Sequence, residues 1–491
     1  MTAAPAAIRI ARPPMRIFLF LLFAAASAAA AEPIGYEGAR HLLNRTGFGA
    51  TDEEIWQVAA LDRAAAVDKL LAGIRREASV KPPALVDEPF EPYARFRGLD
   101  AEQRKAAQRK LVEQGFELRA WWLREMILTP SPLTERMTLF WHNHFATSQQ
   151  KVRSARLMYQ QNALLRSEAL GNFATLLHAV AKDPAMLVWL DNAGNRKQAP
   201  NENFAREVME LFTLGEGHYT ERDIKEAARA FTGWSIDRET GTYTYRPAWH
   251  DYAEKTVLGR TGRLDGDDVL DILLSRPETA QFISTKLWRE FVSQDPDPRE
   301  VARWADVLRD NRYEVKPLVR AILLSDAFWA PQNRATLVKS PVELVVGSLR
   351  MFAIHPFDLR PAVFACAALG QNPFSPPNVK GWPGGNAWID SATLLGRKQW
   401  IDRLLRGTQP AMMAAADAPR DETQAGAQEQ RYRRALERGM SDYAFDASRV
   451  PASRERLERL VLATAPVDPV EGLEGAELAR SLAFDPAFQL K

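Results

Sequence analysis

A single cysteine in 491 residues, Cys366, rules out an intramolecular disulfide and any paired-cysteine metal or redox motif. It stands in Pro361–Leu369, an apolar helical run, where a thiol is expected to be buried and inert rather than nucleophilic. No glycine-rich phosphate loop and no haem signature is present. His250-Asp251 would suit an oriented imidazole, yet no Ser or Cys sits in a nucleophile elbow, so a hydrolytic triad has no support. Strand patterns are few and do not alternate with helices, which argues against a doubly wound sheet.

Charge of one sign is also lacking. The chain carries a formal +2. Its first 31 residues hold Arg9, Arg12 and Arg16 and no acid, so their removal leaves −1. That balance argues against broad nucleic-acid binding, which rests on neutralising phosphates. Those first residues read as a secretory signal: a basic start, an apolar run from Ile17 to Ala26, and Ala29-Ala30-Ala31 before Glu32. The run is short of the roughly 20 residues a spanning helix needs. No Arg-Arg pair is present, which favours the general export route. The expectation is a cleaved signal over residues 1–31, a periplasmic or secreted protein, and no membrane span afterwards.

What remains is mostly helical pattern, and the fold class expected is mainly α: a large multi-helix body with at most a small β-hairpin. Thr51-Asp52-Glu53-Glu54 is a capping box. A long pattern over 102–129 stops before Pro130, and Ser131-Pro132 opens the next helix with proline at its first position. Thr242-Tyr243-Thr244-Tyr245 alternates, and Lys255-Thr256-Val257-Leu258 is its expected hairpin partner. The chain divides into an N-terminal helical region, 32–129, a main body, 130–406, and a C-terminal helical region, 407–491, with a flexible segment near 408–430.

The densest polar cluster runs from Asp191-Asn192 to Asn203, then into a helix. Stepping 100° per residue from Phe204 puts Phe204, Val208, Leu211 and Phe212 on one side, and Asn203, Glu207 and Glu210 on the other. Two carboxylates three residues apart resemble the inward glutamates of bundle metal sites. They fit equally a solvated face with an Arg206–Glu210 pair. Asp191, Asn192, Asn195, Asn201 and Asn203 supply hard oxygens suited to Ca²⁺ or Mg²⁺. The same side chains serve as helix caps and turn formers, and Asn201 or Asn203 is placed to cap.

Trp141-His142-Asn143-His144 is the best histidine pair. On a continuing helix the two rings point about 200° apart, so they share an ion only if the helix ends there. His218 lies on the Gly215–Thr220 linker, within reach of Glu207 or Glu210, or is simply a loop histidine. Pro376 to Gly385 is a rigid loop whose Trp382 either stacks on a sugar or plugs the core.

These motifs together resemble one family of large bacterial proteins, domain-of-unknown-function family 1800. The resemblance rests on His41–Gly49, Phe140–Phe145, Pro200–Glu207, Met209–Gly215, Ala230–Trp234, Lys286-Leu-Trp288, Ser340–Val346 and Pro376–Gly385. Ala253 stands where the family usually has glycine, and Val208 where leucine is more usual. The resemblance implies no activity. Its members are often encoded beside an exported sulfatase-like family, which implies a partner of that kind and a role in envelope or polysaccharide handling.

Two functions follow as expectations. One is a divalent-metal-dependent enzyme acting on a glycan or envelope polymer. His142, His144, Glu207, Glu210 and His218 would hold the ion, Arg206 would stabilise an anionic substrate, and Asp191 or Asn192 would orient ligands. The other is a non-catalytic envelope assembly, secretion or glycan-binding factor presenting Trp249, Trp382 or Trp388 on its surface.

Overall fold

The computed structural model describes residues 32–91, 98–406, 443, 445–468 and 470–491. The expected signal and the segment near 408–430 lie outside the described residues. Among those described, 21 helices carry the chain and the sheet content is two short hairpins.

The helices are α1 (Gly35–Thr46), α2 (Asp52–Ala59), α3 (Arg63–Ala72), α4 (Ala101–Leu128), α5 (Pro132–His144), α6 (Gln149–Val152), α7 (Ala155–Ser167), α8 (Phe173–Ala181) and α9 (Pro184–Trp189). Then come α10 (Glu202–Met209), α11 (Glu221–Ala230), α12 (Gly266–Ser275), α13 (Pro277–Phe291), α14 (Pro298–Asp310), α15 (Val315–Leu324) and α16 (Asp326–Trp329). The last are α17 (Pro341–Met351), α18 (Arg360–Ala368), α19 (Ser391–Arg406), α20 (Arg454–Val461) and α21 (Gly475–Phe484).

Local chemistry sets the boundaries. The Thr51 capping box forms as expected, with Glu54 returning the bond to the Thr51 N–H. Asp100/Gln103, Thr220/Asp223 and Ser340/Glu343 form others. Pro132, Pro277 and Pro341 each open a helix, where their missing N–H costs nothing. α10 does not run straight on to Leu214. It widens into a π-turn over Glu210–Leu214, closed by Gly215 at φ +80°.

The expected hairpin is corrected. β2 (Tyr243–Tyr245) pairs with β1 (Trp234–Ile236), and β3 (Lys255–Val257) pairs with β4 (Arg260–Gly262). The turn between β3 and β4 is Leu258-Gly259, both at positive φ, which is the geometry a tight hairpin demands. That turn lets β3 pair with its own downstream neighbour.

α4 packs on α5, α7, α17 and α18, and α13 packs on α14 and on the π-turn. Pro33–Lys491 forms one compact unit. Contacts cross residue 129 and residue 406: Arg350 bonds the Gly49 and Ile127 carbonyls, and Lys339 Nζ donates to the Phe488 carbonyl at 2.7 Å. Among the described residues, no helix is long and apolar enough to cross a membrane.

Candidate functional site

The polar loop before α10 is a structural knot. Asn195 Nδ2 donates to Asn192 Oδ1 and the Ala228 carbonyl, Asn195 Oδ1 accepts from Asn201 N, and Asn201 Nδ2 donates to the Leu190 carbonyl. Asn201 caps α10. Asn192 and Asn195 are fully buried, and their oxygens are spent on protein donors. Asp191 is exposed and pairs with Lys151 at 2.6 Å.

The proposed ion ligands separate. α5 ends at His144, yet the two rings diverge. His142 is enclosed by Trp122, Phe374 and Trp382, at centroid distances of 5.4, 5.5 and 5.5 Å. Burial holds its pKa down at about 3, and its buried Nε2 has no hydrogen-bond partner among the described residues. His144 faces the π-turn and α13 instead. Glu210 accepts from the Tyr219 hydroxyl, His218 is exposed, and Arg206 forms a two-pronged pair with Glu221 rather than with Glu210. Glu207 is buried beside Glu210, and burial with that neighbour raises its pKa. Among the described residues, no group of three or more His, Cys, Asp or Glu is arranged to hold an ion. The structure does not bring His142, His144, Glu207, Glu210 and His218 together as one ligand set. A two-residue step on a helix turns the rings apart, and the residues between the glutamates and the linker find protein partners.

A different site emerges from the same segments. A groove of about 290 Å³ lies between the C-terminal half of α5, the middle of α13, the start of α17 and the 371–388 loop. On α5, Arg136, Phe140 and His144 recur every fourth residue and so share one face. On α13, Lys286, Arg289 and Glu290 do the same at three- and four-residue spacings. The loop is clipped onto α5 by Asn143, whose Oδ1 accepts from Trp382 N at 2.7 Å. Gly381 makes this approach possible. At φ +81°, any Cβ there would lie 2.3 Å from Asn143 Oδ1. The chain's last residues pair with 337–339, which brings Lys491 beneath the loop.

The floor is ionic. Arg136 bridges Glu290, at 2.5 Å, and Glu343, and Lys491 also donates to Glu343. Burial alone would raise the Glu343 pKa, but Arg136 and Lys491 pull it down to about 2. The wall at α13 is different. Lys286 Nζ contacts His144 Nδ1 at 2.8 Å, and His144 Nε2 faces the Phe212 carbonyl at 3.2 Å. Burial and the Arg289 charge lower the Lys286 pKa to about 8. Lys380, on the loop, pairs with Glu216 at 3.5 Å and draws on Glu207 electrostatically, so the two sites adjoin. Trp382 and Trp388 line the groove with most of their surface covered, at 4% and 6% exposure, and so are not free surface rings.

A larger cleft, about 480 Å³, opens beside the first half of α4. Its lining carries Arg104, Lys110, Arg153 and Arg156 with Glu88 and Glu91; Lys110 pairs with both carboxylates, and Arg156 donates to the Glu88 carbonyl.

Sequence reasoning missed Arg136, Lys286, Arg289, Glu290, Glu343, Lys380 and Lys491. The fourfold repeat 136–140–144 was a readable signal. The union of α5, α13, α17 and the C-terminus was not, because it joins residues some 350 positions apart.

Fold and groove together define a helical protein with a cationic, aromatic-edged cleft. The chain belongs to the family described as "Protein of unknown function (DUF1800)", whose model matches residues 41–490. Four of the segments that carry the resemblance meet at this groove: 140–145, 286–288, 340–346 and 376–385. Neither the curated proteins nor the solved structures gave a match.

Proposed function

We propose that this is an exported bacterial protein whose groove binds an acidic stretch of a glycan or other envelope polymer. One observation carries the reading. Five cationic side chains line the groove: Arg136 and Lys491 engage its two carboxylates, Glu290 and Glu343, Lys380 has only the exposed Glu216 at 3.5 Å, and, among the described residues, Lys286 and Arg289 have no carboxylate in ion-pair range. Uncompensated positive charge in a walled cleft attracts and orients an anion. The aromatic edges of Trp382 and Trp388 suit a ring beside it. The N-terminal pattern supports export, and an exported sulfatase-like partner would act on the same kind of polymer.

The test is calorimetric titration with an oligogalacturonate and with an uncharged dextran oligosaccharide. The acidic ligand binds in preference, and its affinity falls as salt rises. Arg289 and Lys380 are both exposed, so their joint reversal to Glu leaves folding intact and weakens binding by about tenfold or more. Equal affinity for the two ligands, no binding of either, or indifference to the reversal rejects the reading.

A further inference from the structure

The wall of the groove holds a primary amine in an unusual setting. One histidine tautomer satisfies both contacts of His144. Nε2–H donates to the Phe212 carbonyl, and the Nδ1 lone pair accepts from Lys286 Nζ. Among the described residues, no carboxylate lies in ion-pair range of Lys286. Glu290, one turn further on the same helix, is taken by Arg136. Arg289 adds a repelling charge. The Phe282 ring lies 5.0 Å from Nζ, and the rest of the amine's surroundings open onto the cleft. A lysine held by a neutral acceptor, beside an apolar ring and a second cation, is the arrangement that favours the free amine.

We infer that Lys286 is a nucleophile that condenses with an aldehyde or ketone bearing an acidic group, such as a 2-oxo carboxylate or the reducing end of an acidic sugar. The Nζ lone pair adds to the carbonyl carbon. The carbinolamine then expels its oxygen, which leaves with both amine protons as one water, and a C=N bond replaces C=O. His144 positions the amine; its own buried ring resists protonation, so the protons leave through water in the open groove. Arg289 and Lys380 hold the acidic group. This last part rests on the anion-binding reading, and the amine chemistry does not.

The experiment is reductive trapping on the intact protein. Glyoxylate with cyanoborohydride converts any imine to carboxymethyl-lysine, and peptide mass spectrometry reads each site at pH 8. About half of the Lys286 amine is free there, against under about 1% for an ordinary lysine, so it labels about tenfold or more faster than exposed Lys105 and Lys316. Propionaldehyde, which has no acid, shows a smaller preference, and Lys286→Arg removes the fast site. Labelling of Lys286 no faster than Lys105 and Lys316 overturns the inference. Equal speed with propionaldehyde overturns its acidic-group part. Oligogalacturonate binding without fast labelling defeats the amine chemistry alone, and fast labelling without binding defeats the anion reading alone.

Discussion

Replacing Glu343 by Gln tests the ionic floor of the groove directly. Its carboxylate is fully enclosed and accepts from Arg136, from Lys491 and, at 2.7 Å, from the Ser340 backbone N–H that caps α17. Gln keeps the shape and an oxygen for the cap, but leaves two buried cations short of a countercharge. Loss of one partner from a buried pair costs about 3–5 kcal/mol. Linkage gives a second estimate. The folded pKa of about 2 lies below the ordinary glutamate value of 4.5, and at 1.36 kcal/mol per unit this is worth about 3 kcal/mol. The sign follows from the depressed folded value. The contribution is complete above pH 4.5 and is lost as pH falls through 2. Guanidinium unfolding of both proteins at pH 7 and at pH 3 should show a gap of about 3 kcal/mol that narrows on acidification. A gap under about 1 kcal/mol at pH 7, or one indifferent to pH, would refute the reasoning.

Affinity for an acidic ligand should fall as pH rises through about 8, where Lys286 and Lys491 both lose their protons. The facing groups hold their state there, with His144 neutral and Arg136 charged, so titration calorimetry at several pH values reads the lysines, and Lys286→Arg should flatten the Lys286 share. Glu207→Gln should raise the melting temperature at pH 7 and leave it unchanged in acid. Burial and Glu210 raise the Glu207 pKa, so its charge opposes folding only where the carboxyl is ionised, and a lower melting temperature at pH 7 would contradict this. Cys366 is fully buried with its pKa raised by burial, so Ellman's reagent should react only on unfolding; rapid reaction of the native protein would show that α18 opens.

The mainly helical class, the caps at Thr51 and Asn201, and the burial of Cys366 were legible in the chain, because each depends on neighbours within a turn or two. The dual nature of the polar loop was legible as well, though not which alternative held. Asn oxygens serve a cation or a backbone donor equally well, and only the approach of Ala228 and Leu190 decided for the protein donors. The histidine pair shows the limit most clearly. Periodicity gives the angle between His142 and His144, but not what each meets: three aromatic rings for one, a lysine 142 residues away for the other. The groove belongs wholly to tertiary structure, since its charges come from five segments that share no local pattern. Short-range spacing determines which side of a helix a residue occupies; only packing determines which distant charge it faces, and pKa and reactivity follow from that second fact.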